Sequence, residues 1–129
     1  MKIAAALGSA AVALLAASAT LVQAPGIQRT LLQRIDLGDG RELVMGLAEI
    51  APGASTGRHT HFGIETGYAL AGESTLEIDG ESPRRMKAGE SYVIPAGKPH
   101  DARALGNGPA RVLAVYVVEK GKPLATPAK

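Results

Sequence analysis

The amino-acid sequence predicts an all-β fold, a sandwich or a barrel built from short strands. Its 129 residues include 16 glycines and 8 prolines spread along the chain, which favours many turns over a helix bundle. No stretch after position 25 shows a sustained apolar period of about 3.6 residues, as an amphipathic helix would. Short apolar runs instead alternate with turn residues at intervals of about eight to twelve positions, which is typical of sandwiches and barrels.

The strands follow from apolar patterning and from the turns between them. Gly38-Asp39-Gly40 and Asp79-Gly80 are the clearest turn signals, because glycine accepts a positive φ and aspartate can hydrogen-bond its own backbone. The predicted strands are 30–37, 41–51, a short extended piece carrying His59 and His61, 66–71, 74–79, 83–88, 91–94, 100–104 and 110–118.

Three segments have predictable positions in the sheets. The polar segment 83–88 suits an edge strand. The valine-rich segment 110–118 is the longest apolar run after position 25 and suits a central strand buried on both faces. The tail 120–129 contains two prolines, and we expect it to be extended and exposed.

Residues 1–24 have the pattern of a cleavable secretory signal. Lys2 supplies a positive charge, an uncharged run of Ala, Leu and Val follows, and small residues precede possible cuts after Ala19 or Ala24. The alternative is an uncleaved amino-terminal helix, but the segment lacks a polar face. The apolar run is shorter than the roughly 20 residues that span a bilayer. We therefore expect a periplasmic or secreted protein, without a stable membrane span after cleavage, whose single domain is 25–129.

Composition excludes several kinds of partner and site. The chain has no cysteine, so disulfides and thiolate metal sites are excluded. A net charge of +2, without a long basic run, does not indicate nucleic-acid binding. Hydrophobic content of 46% and charged content of 20% are in the range of ordinary globular proteins.

All three histidines of the chain lie in two short segments rich in turn residues. His59 and His61 are two positions apart, Glu65 follows four positions later, and His100 comes after Pro95, Gly97 and Pro99. Strand geometry places His59 and His61 on the same side, about 6.5–7 Å apart. Gly63 permits a bend that could return Glu65 to the same centre.

These four side chains are candidate ligands of one divalent transition metal. Three imidazoles and a carboxylate suit Mn, Fe, Co, Ni, Cu or Zn. An octahedral ion with these four ligands keeps two further positions, whereas a tetrahedral ion has none. The alternative is that each histidine is an ordinary surface or hydrogen-bonded residue. A zinc-protease site is disfavoured, because it needs two histidines one helical turn apart.

The spacings resemble those of a small single-domain cupin. Gly53, His59, His61, Glu65 and Gly72 fit the first cupin motif, over 53–72. The second motif, over 89–104, is fitted by the residues Gly89, Pro95, Gly97 and His100, although Ala104 stands where the family has an asparagine. The resemblance implies a jelly-roll β-barrel with the metal inside, and it implies a homodimer.

The resemblance leaves the activity open. One hypothesis is a metal-dependent dioxygenase acting on a small organic molecule, in which Glu65 would also serve as a general base, as in quercetinase-type cupins. A second is a non-catalytic module that binds a metal or a small ligand. A third is a hydrolase or isomerase that uses a metal-bound water.

Residues at the barrel mouth would select among these activities. If strand alternation holds, the candidates are Met45, Leu47, Phe62, Tyr68, Leu76, Tyr92, Asp101, Arg103 and Tyr116. Arg58 and Arg103 flank ligand positions and could hold an anionic substrate. Strict alternation turns both away from the metal, so we interpret them as solvated charges.

Overall fold

The computed structural model describes residues 24–129, which form ten β-strands and no helix. The strands are β1 (Ile27–Gly38), β2 (Arg41–Ile50), β3 (His59–Thr60), β4 (Gly63–Ala71), β5 (Glu73–Ile78), β6 (Arg84–Lys87), β7 (Ser91–Ile94), β8 (His100–Leu105), β9 (Ala110–Glu119) and β10 (Thr126–Pro127). The predicted signal peptide lies outside the described residues, apart from Ala24. No helix within 24–129 is long and apolar enough to cross a bilayer.

The strands form two antiparallel five-stranded sheets, as the all-β prediction requires. The first sheet has the order β1-β2-β9-β4-β7, and the second has the order β10-β3-β8-β5-β6. The chain crosses between the sheets several times, so strands distant in sequence become neighbours. The two candidate ligand segments meet in this way, because β3 pairs directly with β8.

The inward faces of both sheets carry the apolar core. One buried cluster comprises Ile27, Ile50, Ala104 and Ala110. A second comprises Leu76, Ile78, Met86 and Ile94. Burying each of the large aliphatic side chains contributes about 1.5–3 kcal/mol relative to leaving it in water. The two clusters therefore hold the inward faces of the sheets together.

The predicted succession of strands along the chain is confirmed, although the strand ends differ by a few residues. The segment 83–88 is an edge strand, β6, as expected. The tail is only partly as predicted, because Thr126 and Pro127 pair with β3 as strand β10. Pro127 is compatible with a sheet edge because an edge residue can do without its backbone donor.

Strand β9 is central, but the prediction that both of its faces are buried is wrong. It lies between β2 and β4. Its inward residues Val112, Ala114 and Val118 are buried, whereas the outward Val115 and Val117 are only half-buried. Nothing in the described part of the chain covers the outside of the first sheet, which explains the difference.

The outer face of the first sheet is apolar across four strands. Ile64, Val117 and Leu43 are aligned in one row, and Tyr68, Leu113 and Leu47 in another. We call this surface the outer apolar face; its members are Leu43, Met45, Leu47, Ile64, Tyr68, Leu70, Val93, Leu113, Val115 and Val117.

Candidate metal centre

The four predicted ligand residues come together between the two sheets. His59 lies on β3, His61 directly follows it, Glu65 lies on β4, and His100 begins β8. His59 and His100 are partners in the pairing of β3 with β8. One ligand atom from each of the four residues lies within 4.8 Å of all the others. The group could therefore hold a single metal ion.

Backbone carbonyls orient all three imidazoles. The Nδ1 atom of His59 lies 2.6 Å from the carbonyl oxygen of Gly57, and that of His61 lies 2.5 Å from the carbonyl oxygen of Leu124. His100 Nδ1 lies 2.9 Å from the carbonyl oxygen of Lys98. A carbonyl only accepts, so each Nδ1 must carry the proton. In a neutral ring the lone pair is then on Nε2, which is the arrangement of metal-binding histidines.

The centre contains a buried nitrogen that the described protein atoms leave without a hydrogen bond. His61, Glu65 and His100 are only 4%, 5% and 3% exposed. His61 Nε2 lies 2.8 Å from Glu65 Oε2, but it has no hydrogen-bond partner. With the proton on Nδ1, both of these close atoms are acceptors and repel each other. A cation between them would remove that repulsion, so the donor set fits a metal.

The imidazole of His100, which also lies near the Glu65 carboxylate, differs from that of His61. His100 Nε2 lies 3.2 Å from Glu65 Oε2, at hydrogen-bonding distance. Burial is the largest single effect and lowers the pKa of His100, but the hydrogen bonds to Glu65 and to the Lys98 carbonyl, together with the nearby carboxylate charges, raise it overall. A proton on this nitrogen would satisfy Glu65 but would still leave His61 Nε2 unpaired.

The protonation states of His59 and Glu65 also favour metal binding. Burial lowers the pKa of His59 to about 4. Burial is the largest single effect and opposes ionisation of Glu65, but the combined interactions with His100, His61 and Tyr92 hold its pKa to about 2. Near neutral pH, His59 is therefore neutral and Glu65 is charged, and these are the forms that bind metal ions.

Two tyrosines hold Glu65 and His61 from the first sheet. Tyr92 on β7 donates a hydrogen bond of 2.7 Å to Glu65 Oε1. Tyr116 on β9 is the register partner of Glu65, and its ring contacts that of His61 at 4.9 Å between centroids. Burial and the nearby Glu65 charge raise the pKa of both tyrosines, so both stay protonated.

Gly67 makes room for the Tyr92 ring. It is the register partner of Tyr92 in the pairing of β4 with β7. A Cβ at this position would lie 2.4 Å from the tyrosine ring, much closer than van der Waals contact allows. The close approach brings the Tyr92 hydroxyl to Glu65, two residues away along β4.

The loop before β3 is fixed by Asp101. The hydroxyls of Ser55 and Thr56 donate to its carboxylate at 2.7 and 2.9 Å. The backbone N–H of Gly97 also donates to the carbonyl oxygen of His61 at 3.0 Å, which ties the two predicted motifs together. The chain bends at Phe62, directly before Gly63. Gly63 also allows close backbone approach, because a Cβ there would lie 2.0 Å from the carbonyl oxygen of Val117.

Beside the ligands lies a small, mostly apolar cavity. About 50 Å³ of it is open to water-sized molecules. Its lining residues are Arg29, Ala48, Ile50, Thr56, His59, Glu65, Ala69, Ser74, Leu76, Met86, Tyr92, His100, Ala102, Val112, Ala114 and Tyr116. A molecule bound there would be next to the candidate metal ligands and in contact with both sheets.

Three of the nine predicted mouth residues line this cavity, namely Leu76, Tyr92 and Tyr116. The predictions for Met45, Leu47 and Tyr68 are wrong, because these residues belong to the outer apolar face. The other three lie outside the lining: Phe62 is exposed, Asp101 binds the loop before β3, and Arg103 donates to the carbonyl oxygen of Gly53.

The interpretation of the two arginines as charges directed away from the metal is confirmed. Arg58 pairs with Asp79, and Arg103 is exposed. Sequence reasoning missed three contributors, Arg29, Ser74 and the carbonyl of Leu124. Strand alternation carries the signal for the two side chains. Arg29 lies two residues from the buried Ile27 on β1, and Ser74 lies two residues from the buried Leu76 on β5, so both point inward. No residue type could have indicated a backbone carbonyl.

Known proteins resemble this chain over most of the barrel. The chain is 36% identical over 77 residues to the HTH-type transcriptional regulator PuuR of Escherichia coli K12, which covers 59% of this chain and 41% of PuuR. It therefore spans about two fifths of the length of that relative. Among solved structures, the DMSP lyase DddQ from Ruegeria pomeroyi superposes with a TM-score of 0.66 at 23% identity, over 79% of this chain and 51% of DddQ.

An oxalate oxidase solved in complex with glycolate gives a TM-score of 0.63 at 24% identity, over 79% of this chain and 55% of the oxidase. At these identities the two structures establish the fold alone. The cupin domain family matches residues 46–116, a range that contains all four candidate ligands. The match covers more than half of the sequence, and the chain belongs to the cupin family.

Proposed function

We propose that this protein holds one divalent transition metal through His59, His61, Glu65 and His100, and binds a small organic molecule in the adjacent cavity. The observation that carries the proposal is the unpaired Nε2 of His61, buried 2.8 Å from Glu65 Oε2. A metal bound there would supply Lewis-acid or one-electron chemistry. The chain itself supplies fixed imidazoles and a small site largely closed to water.

Glu65 serves better as a ligand than as a general base. A base works best with a pKa near the working pH. Burial opposes ionisation of Glu65, but its combined interactions with His100 and His61 hold its pKa to about 2. Tyr92, which donates to Glu65 Oε1, further stabilises the carboxylate. We therefore assign Glu65 mainly to holding the metal.

A dioxygenase is the second candidate. Four protein ligands leave two positions on an octahedral ion, enough for a substrate and an oxygen molecule. The cavity beside His59 and His100 gives the substrate a place within reach. The fold does not choose this reaction, since cupin folds carry several chemistries. Oxygen consumption that needs both a redox-active metal and a small substrate supports the dioxygenase. A non-catalytic binding module would consume no oxygen under the same conditions.

Metal analysis of the His61→Ala variant tests the metal site. We expect wild-type protein from its native compartment to contain a single metal ion per chain, and the variant to contain almost none. Thr60→Ala is the matched control, because Thr60 lies between the two histidines on a strand whose side chains alternate in direction. Unchanged metal content in His61→Ala would refute the proposed site.

Location and assembly are part of the same proposal. The amino-terminal pattern of a charged start, an apolar run and small residues supports export to the periplasm or beyond. The outer apolar face supports a homodimer. The outer face of the second sheet offers a contrast, because it carries charged side chains such as Glu77, Arg85 and Arg103.

A further inference from the structure

The cavity beside the metal ligands is polar only at a few places. Its walls are mainly aliphatic, including Ile50, Leu76, Met86 and Val112. Its lining contains one carboxylate, that of Glu65, which belongs to the metal centre. The lining also contains one guanidinium, that of Arg29, and no lysine.

Strand alternation explains why Arg29 faces inward. Ile27, two residues earlier on β1, is buried against Ile50, and alternation gives Arg29 the same direction. Its partner on β2 is Ala48, whose short side chain leaves room for the long arginine. Arg29 is half-buried as a result.

Within residues 24–129, the Arg29 guanidinium has neither a hydrogen bond nor an ion pair. The other arginines of this part of the chain have partners, except the exposed Arg41. A partly buried guanidinium without an anion is unfavourable, because it loses water without gaining a countercharge. Its planar set of donors matches a carboxylate in a bidentate arrangement.

We propose that Arg29 is the anion-binding residue of this cavity, and that the substrates of the centre are short aliphatic carboxylates. The carboxylate binds the guanidinium, and the aliphatic end points along the apolar walls towards His59 and His100. The substrate assignment rests on the proposed metal function, whereas the carboxylate site needs no metal. The aliphatic walls favour a carboxylate over phosphate, which needs more donors than one arginine offers.

The size of the cavity limits the substrate. One water needs about 10–15 Å³ of such space, so an open volume of about 50 Å³ admits roughly three to five non-hydrogen atoms. Formate, acetate and propionate are therefore the appropriate probes. Propionamide has nearly the shape of propionate without its charge, and it serves as the neutral comparison.

Calorimetric titration of these probes into purified full-length protein, with and without bound metal, tests the proposal. We expect wild type to bind at least one of the carboxylates and to bind propionamide much more weakly. Arg29→Met should weaken carboxylate binding by about 10- to 100-fold, the loss expected for hydrogen bonds to a charged group. Arg29→Lys should restore part of the affinity. Arg41→Met, which removes an exposed arginine, should change nothing.

The outcomes separate the two proposals. Three results would each overturn the assignment of Arg29. Arg29→Met could bind the carboxylates as tightly as wild type does, or wild type could bind propionamide as tightly as propionate. The third is that wild type binds none of the probes. Metal content is measured in every sample. Arg29-dependent binding in a protein that takes up no metal would refute the metal site and leave the carboxylate site standing. Arg29→Lys keeps the test valid if Arg29→Met fails to fold.

Discussion

At the scale of single residues, the candidate metal centre depends on the residues that hold its four candidate ligands in place. Glu65 Oε2 faces His61 and His100, and Oε1 accepts the hydroxyl of Tyr92. The tyrosine fits only because Gly67 has no side chain. These two residues do not belong to the ligand set, but they fix the direction of the carboxylate.

Replacing Tyr92 with phenylalanine should destabilise the protein. The change leaves Glu65 Oε1 buried without its donor, which costs about 1–3 kcal/mol of unfolding free energy. Urea unfolding of the metal-free protein measures the loss. Tyr68→Phe, compared at concentrations that keep the protein monomeric, is the matched control, because the Tyr68 side chain is exposed on the outer apolar face of a single chain and should show almost no change. Equal stability of the two variants would contradict the role given to Tyr92.

The sequence was informative about the ligands and less so about their surroundings. His59, His61, Glu65 and His100 were predictable because their residue types and spacing are rare together. Met45 and Leu47 were misplaced because both faces of β2 are apolar, and alternation cannot say which face points inward. Arg29 was missed because the first strand was predicted to begin at residue 30, whereas β1 begins at Ile27, so alternation along the strand did not include Arg29.

At the scale of elements, the short strand β10 connects the tail to the metal centre. Thr126 and Pro127 pair with β3, and the nearby carbonyl of Leu124 accepts from His61 Nδ1. Such hydrogen bonds fix the tautomer and the orientation of a metal-binding histidine. The tail was predicted to be exposed, because ten residues with two prolines give no pattern that predicts pairing.

Removing residues 123–129 should weaken metal binding while leaving the barrel folded. The truncation deletes β10 and the acceptor for His61, and loss of such a partner typically lowers metal affinity by about 10- to 100-fold. Competition with a metal chelator measures the change. Removing only 128–129 retains β10 and Leu124 and serves as the control. If the longer truncation bound metal as tightly as the control, the tail would have no part in the centre.

At the scale of the whole molecule, the two sheets differ in what they present to their surroundings. The second sheet is charged on its outside, whereas the first carries the outer apolar face. Val115 lies near the middle of that face, between Met45 and Thr66. Apolar patches of this kind mark interaction surfaces. A second copy of the chain is the partner we propose.

Sedimentation of wild type and the Val115→Lys variant tests the dimer. We expect wild type to sediment as a dimer. The dissociation constant of the variant dimer should be roughly 10- to 100-fold higher than that of wild type, because the lysine would be buried without a partner. Asn107→Lys, on an exposed turn, controls for the added charge. A wild-type protein that remains monomeric at high concentration would refute the assembly.

The hydrogen bond between His61 and Leu124 also affects when the centre can form. It joins positions 63 residues apart, and His100 comes between them in the chain. Long-range contacts of this kind form late in folding, because closing the intervening loops costs entropy first. A nascent chain that already contains His59, His61 and Glu65 therefore lacks the finished centre. If the protein is exported unfolded, the compartment in which folding ends decides which metal it acquires.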